Sequence, residues 1–598
     1  MDSQFRELVT THLEGMVSIG QVTLCPDGSM VAFAASRLDM EANTYRRQIW
    51  IVPTDGSAPA MPVTSGDPGE SDPAWSPDGR YLAFVSRREP ANGSSAGPST
   101  GATLHVLPIS GPGEVRRVAA RPDAMSSPTW SPDGKWIAFA ARVPHERYSA
   151  KDERAQSARR IDTFFTQLNG EGWVYDRRNH LFVVASDGTG SPRDLTPATK
   201  NIDAEEIDAE HSDFAWFPDS THLVVAAARH ANWDRDFATD LHRVSLSGEI
   251  TTLTTGGASL HHPSPSPDGT RIAFMGMDDP WTYPQNVRVG VLDLARQIRN
   301  WISEDLDRTF GPTSGPIRPV WDGDSHILAN AEDRGTCHLY RLDATGATHP
   351  VAVTSGPMWL SHWDTAGAVT VAVTSTVDRP GELALLDSSG HTARLLTDLN
   401  FSFRAAVNPT QWTRFTVPTA HPTPGIIPEI DAWIMFPPDV DPLDPEAKVP
   451  VILNVHGGPH TQYGETYFDE AQVQVAAGFA VLMSNPRGSS GREEAWGQAI
   501  IGPKHPRRPG TGWGVADLED VLSVLDAALL QFPACDAGRV GMQGGSYGGF
   551  MASLLAARHE GRLRAVCSER AVNNLLTLEW SSDIGSRFQS WHGPSPVD

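Results

Sequence analysis

A serine hydroxyl becomes a useful nucleophile when the backbone presents it clear of its neighbours and a base can take its proton. Gly544-Gly545-Ser546-Tyr547-Gly548 spells G-x-S-x-G, the pattern of a sharp strand-to-helix turn with the serine at its tip. The flanks suit that turn. Arg539 to Gln543 reads as a short strand, and Phe550 to Ala557 is rich in helix formers. The glycines at 544, 545, 548 and 549 allow close approach of strand and helix. Acyl transfer at Ser546 also requires two N–H donors aimed at the developing oxyanion. Tyr547, the residue after the serine, supplies the first. The second is expected from a glycine-rich loop after an earlier strand, and His456-Gly457-Gly458-Pro459 follows the apolar run Val451 to Val455, with His456 90 residues before Ser546. Gly458 fits that role, and His456 reads as a structural histidine bracing the loop.

Between these motifs, Gly478 to Asn485 reads as another strand, leading into Asn485-Pro486-Arg487-Gly488-Ser489-Ser490-Gly491. Gly512-Trp513-Gly514-Val515-Ala516-Asp517-Leu518-Glu519-Asp520-Val521 opens a helix whose apolar positions continue through Leu525 and Leu529. With HGGP, NPRGSSG, GWGVADLEDV, GGSYGGF and Ser582-Asp583-Ile584-Gly585, the chain resembles the prolyl oligopeptidase family of serine peptidases, most closely its acylaminoacyl-peptidase-like branch. Arg492-Glu493 departs from the aromatic and glycine usual after RGSSG, which leaves the shape of that loop open.

The resemblance implies an α/β-hydrolase fold, in which the acid and the histidine of the triad follow the serine in the chain. Only 52 residues follow Ser546, and they contain two histidines, His559 and His592. His559 falls 13 residues along the helix leaving the turn, about 20 Å from the hydroxyl at 1.5 Å per residue. His592 stands in a terminal loop-like segment. Asp583 resembles a family position at the rim of the active site, not the triad acid. The triad Asp and His are therefore not found in this chain. It reads as C-terminally truncated, with hydrolase strands missing, an open sheet edge, and no activity of its own expected.

The first four hundred residues explain the length. A turn followed by an apolar strand recurs at Cys25-Pro26-Asp27-Gly28, Ser76-Pro77-Asp78-Gly79, Ser131-Pro132-Asp133-Gly134, Phe217-Pro218-Asp219 and Ser266-Pro267-Asp268-Gly269, with degenerate copies after Trp321 and Trp363. Proline presets one turn position, aspartate bonds back to the backbone and glycine takes the positive φ. Seven copies about 40 to 55 residues apart, each with several short strands, predict a seven-bladed β-propeller. The tryptophans at 75, 130, 216, 321 and 363 hold a fixed place in the repeat and read as packing between blades. One interval is longer: 86 residues separate Asp133 from Asp219, so one blade carries an insertion, with charge crowded between Glu146 and Arg160. It ends in Trp173-Val174-Tyr175-Asp176-Arg177-Arg178. In dipeptidyl-peptidase relatives a similar stretch leads into paired glutamates that hold a substrate amino terminus. By that resemblance Arg177 and Arg178 are candidate substrate contacts, suited to N-blocked peptides or acidic groups, with solvated loop charge as the alternative.

Net charge is −24 and spread along the chain, which argues against nucleic-acid or anionic-membrane partners. Residues 1–15 lack an apolar signal core, and a cytoplasmic location is the expectation. The four cysteines, 25, 337, 535 and 567, lack metal or disulfide spacing; Cys25 replaces the serine of one turn, and Cys567 is expected in the core. The expected organisation is an N-terminal helical segment over 1–16, the propeller over 17–412 and an incomplete α/β-hydrolase domain over 413–598. The expected function is hydrolysis of short peptides, of oligopeptide or acylaminoacyl type, through an acyl-enzyme on Ser546, with no metal or organic cofactor and a homo-oligomer left open. An esterase, or a non-catalytic propeller scaffold, is the alternative.

Overall fold

The computed structural model describes residues 3–66, 69–87, 101–111, 113–145, 157–161, 163–169, 171–197, 213–230, 233–312, 317–422, 426–559 and 561–585. The chain begins with helix α1 (Ser3–Gly15). Strands from Val17 to Leu395 then form four-stranded antiparallel units over 17–62, 70–121, 125–194, 214–252, 259–301, 320–352 and 359–395. The last two are joined by a single parallel pairing, Cys337 with Trp359.

The recurring turns set the spacing of these strands. In Ser76-Pro77-Asp78-Gly79 the serine hydroxyl donates to Asp78 at 2.6 Å, the Gly79 N–H returns to the Ser76 carbonyl at 2.9 Å, and Gly79 takes φ +67°. The same serine–aspartate bond recurs at Ser131–Asp133 and Ser266–Asp268.

Apolar residues fill the gaps between consecutive units. Cys25, Ala32 and Ile49 of the first pack with Trp75, Leu82 and Phe84 of the second. The series closes on itself, since Val31 and Phe33 of the first unit share a cluster with Val371, Val373 and Leu383 of the last. Each repeated tryptophan adds a directional contact. The indole N–H groups of Trp75, Trp130, Trp216 and Trp321 donate to the carbonyls of Thr23, Ala74, Thr129 and Ser264 at 2.8–3.2 Å, each carbonyl on the inner strand of another unit. Polar bonds seal the junction of first and last units: Leu24 N–H to Asp364 at 2.7 Å, and Val17 N–H to the Asn400 side chain at 2.8 Å.

After helix α2 (Phe401–Val407) comes a six-stranded mixed sheet: β1 (Trp412–Pro418), β2 (Glu429–Met435), β3 (Val449–Val455), β4 (Ala480–Asn485), β5 (Cys535–Gly545) and β6 (Ala565–Glu569). Its order is β1-β2-β4-β3-β5-β6, with β4, β3, β5 and β6 mutually parallel. Helices α3 (Asp469–Ala476), α4 (Glu494–Gln498), α5 (Ala516–Gln531), α6 (Tyr547–Arg558) and α7 (Leu575–Ser581) complete the unit. The inner strands bury Val451, Leu453, Leu482, Val540 and Met542 against Val521, Leu525, Met551 and Leu555. By contrast every residue of β6 is exposed. The expectation that Cys567 packs in a core is therefore overturned: it lies on the outermost strand, and among the described residues nothing covers it.

The two parts meet through the turn at Asp333–Gly335. Arg334 N–H donates to the Gly491 carbonyl at 2.8 Å and its guanidinium grips Asp431 at 2.9 Å, while Gly335 N–H reaches Gln462 at 2.7 Å. Arg492, the departure from the family pattern, is used here. It is buried, donates to the Glu429 and Ile427 carbonyls, and offers its own carbonyl to Asn286 at 2.9 Å. No helix among the described residues is long and apolar enough to cross a membrane.

Candidate active site

Strand β5 ends at Gly545 and helix α6 begins at Tyr547, which leaves Ser546 alone at the turn with φ 58° and ψ −116°. A non-glycine residue in that region is strained, and strain held at a strand-to-helix turn is the signature of a presented nucleophile. Backbone bonds hold it there: Ser546 N–H donates to Glu569 at 3.0 Å and Phe550 N–H to Ser546 at 3.0 Å. The neighbouring glycines serve close approach. A Cβ on Gly548 would stand 2.1 Å from the Val455 carbonyl oxygen, and one on Gly544 2.6 Å from the Gly548 carbonyl carbon.

The loop after β3 lies against this turn. A Cβ on Gly457 would be 3.6 Å from Ser546 Cβ. The Gly457 carbonyl accepts from Thr461 Oγ1 at 2.6 Å, and His456 Nδ1 lies 2.8 Å from it. His456 Nε2 meets Ser489 Oγ at 3.0 Å. Both ring nitrogens are thus engaged, and burial pushes the imidazole pKa down to about 4, so the ring is neutral near pH 7 and braces the loop.

Ser546, His456, Gly457, Tyr463, Glu470 and Glu569 line a cavity of about 310 Å³. Burial, followed by the nearby Glu569 carboxylate, raises the Glu470 pKa. Behind the turn, Tyr547 is fully buried and its hydroxyl donates to Asp517 at 2.5 Å. Asp517 also accepts Gly514 and Val515 N–H groups at 3.0 and 2.8 Å. One turn along α5, Asp520 takes the backbone N–H, Nε and Nη2 of Arg487 at 2.7–2.9 Å. Helix α5 therefore anchors both the serine turn and the NPRGSSG loop. The i, i+3 spacing of Asp517 and Asp520 in GWGVADLEDV was the available signal for this, and it was missed.

The other candidate residues lie elsewhere. Arg177 is held by Asp123 at 2.5 Å and by the Trp173 carbonyl at 2.6 Å, and Arg178 stacks 3.7 Å over Trp233. Neither lines the cavity at Ser546. His559 caps the far end of α6. Asp583 accepts the Asn169 N–H at 2.9 Å from the inserted segment, and Phe164 of that segment packs 6.1 Å from Trp580. His592 and residues 146–156 fall outside the described residues. Among the described residues no histidine hydrogen-bonds the Ser546 side chain, and no group of three or more His, Cys, Asp or Glu is placed to hold a metal.

Residues 465–597 match the model of the prolyl oligopeptidase family. They are a prolyl oligopeptidase family domain. That family is one of serine-type peptidases, and the relatives over the whole chain are peptidases too. It is 28% identical to the uncharacterized peptidase YuxL of Bacillus subtilis, over 98% of this chain and 85% of that protein. It is 24% identical to dipeptidyl-peptidase 5 of Porphyromonas endodontalis, over 96% of this chain and 79% of that one. In fold it is similar to the acylaminoacyl peptidase of Pyrococcus horikoshii, with a TM-score of 0.77 at 21% identity, covering 98% of this chain and 82% of that structure.

Proposed function

We propose that Ser546 is the nucleophile of a peptidase that cleaves short peptides, of oligopeptide or acylaminoacyl type, through an acyl-enzyme. In this reading residues 17–412 are a seven-bladed β-propeller, preceded by a helical segment over 1–16 and followed by an α/β-hydrolase domain over 413–598. The observation that carries it is the strained φ of Ser546 at a turn packed against the Gly457 loop.

Ser546 Oγ would add to the scissile carbonyl and lose its proton to a base, and the amine would leave with a proton as the acyl-enzyme forms. Water would then release the acyl group as a carboxylic acid. Tyr547 N–H, at the first position of α6, has no intrahelical acceptor, which suits an oxyanion donor. Gly458 N–H belongs to the same trans peptide as the Gly457 carbonyl. Because Thr461 and His456 hold that carbonyl on one side, the N–H is directed to the other. The Asp517–Tyr547 bond fixes the first donor and the His456–Ser489 contact the second.

No described histidine meets Ser546, so residues 1–598 by themselves are proposed not to acylate. That same observation favours a second reading, a non-catalytic propeller scaffold. Neither a metal nor an organic cofactor enters the proposal. A cytoplasmic setting belongs to it, supported by four free, widely separated cysteines. The test is turnover by a form extended beyond Asp598 with an acid- and histidine-bearing segment, offered N-acetyl peptides, free-amine dipeptides and aryl esters. Ser546-dependent cleavage of peptides supports the peptidase; cleavage of esters alone identifies an esterase; no cleavage of either supports the scaffold.

A further inference from the structure

A second, larger cavity of about 880 Å³ lies at the end of the propeller that faces the hydrolase domain, within the size range of small-ligand pockets. Its position follows from the equivalence of the repeats. The turn after the second strand of unit 320–352 is Arg334–Gly335, which touches Gly491 and Gln462. Ser36, Tyr45 and Arg47 flank the equivalent turn of the first unit and line the cavity. Glu171 also lines it and belongs to the inserted segment, whose Asn169 reaches Asp583.

The charged groups of this chamber are formally balanced, but their hydrogen-bonding capacity is not. Glu70 accepts Thr64 Oγ1 and Gly66 N–H at 3.0 and 2.9 Å. Asp72 accepts Gln21 Nε2 at 2.7 Å and Ser71 Oγ at 2.5 Å. Glu171 is paired with Arg142 at 2.6 Å. Arg47 and Arg87 are exposed into the chamber, and among the described residues their guanidiniums have no ion pair or hydrogen bond. Tyr45, two residues before Arg47 and so on the same face of its strand, is 60% exposed in the same cavity. Each of these carboxylates already has a partner in the protein, while two forked cation donors and an aromatic face remain for a ligand.

We propose that Arg47 and Arg87 form a carboxylate-binding site for peptides held in this chamber. The inference rests on the peptidase reading for the identity of its ligand. Every peptide with a free C-terminus brings a carboxylate, every acyl product released by hydrolysis carries a new one, and acidic side chains supply the same chemistry. A guanidinium takes a carboxylate in two parallel charge-assisted bonds, and a carboxamide cannot reproduce them.

Isothermal titration of the full chain reads this without any turnover. The ligands are N-acetyl-Ala-Ala-Phe as the free acid, its C-terminal amide, and N-acetyl-Ala-Asp-Phe amide. The acid is expected to bind about tenfold more tightly than the amide, with the ratio shrinking as salt is added. The Arg47→Gln/Arg87→Gln variant is expected to lose the preference while keeping its affinity for the amide. The aspartyl amide separates the sources: tight binding means any carboxylate is accepted, weak binding that the terminal one is required. Equal affinities for acid and amide in the unaltered chain, or a preference that survives in the variant, overturns the site and leaves the peptidase reading standing. Binding of none of the three overturns both.

Discussion

Glu332, in the four-stranded unit over 320–352, is 2% exposed and accepts a hydrogen bond from Ser490 in the NPRGSSG loop beside the six-stranded mixed sheet. Burial raises its pKa from the ordinary 4.5 to about 7, against a smaller lowering by Ser490. A carboxyl whose folded pKa is raised favours the protonated folded state. Stability is then greatest below pH 4.5, falls as pH rises towards 7, and is level above that. Between pH 5.5 and pH 8.5 the folded state loses about 2 kcal/mol through this group. Glu332→Gln keeps an acceptor for Ser490 and removes the titration. Urea unfolding followed by tryptophan fluorescence at both pH values measures the effect. The variant should gain about 2 kcal/mol on the parent between pH 5.5 and 8.5, or about 0.7 M in midpoint for a slope near 3 kcal/mol per M. Parallel midpoints for parent and variant across that range would refute a neutral carboxyl at the interface.

Two further perturbations probe the frame around Ser546. Asp520→Ala removes the carboxylate that takes three donors of the buried Arg487 and is expected to cost about 3–5 kcal/mol in unfolding; a loss below about 1 kcal/mol would show that the His421 and Ala516 carbonyls, which Arg487 also reaches, suffice for it. Gly548→Ala drives a Cβ to 2.1 Å from the Val455 carbonyl oxygen, whereas Gly541→Ala on the same β5–α6 segment meets nothing closer than 3.7 Å. The first should cost about 3 kcal/mol or more and the second leave the unfolding midpoint in place; equal effects would contradict the packing described.

Local chemistry made much of this legible. The turns announced themselves because proline, aspartate and glycine each act within four residues, and the serine turn because strand, glycines and helix are contiguous. The tryptophans could be placed between repeats by position alone. Their indole bonds to another unit's backbone could not, because the acceptors at Thr23, Ala74 and Thr129 lie more than 50 residues away. The same distance hid Glu332–Ser490 and Arg492–Asn286, which join the two parts across 158 and 206 residues. For Arg177 and Arg178 a short motif shows the charge but not the neighbours, the Asp123 carboxylate and the Trp233 ring, that the fold brings to them. Cys567 misled for another reason: an apolar strand is read as buried, and its place as outermost strand is set by pairing order.

Ser546 is presented at its turn, and among the described residues no histidine meets its side chain. Intact-mass analysis after incubation with a fluorophosphonate, for this chain beside its Ser546→Ala variant, tests that directly. No adduct is expected on either protein. A stoichiometric adduct that maps to Ser546 and vanishes in the variant would contradict that, and would mean that this chain carries its own proton acceptor.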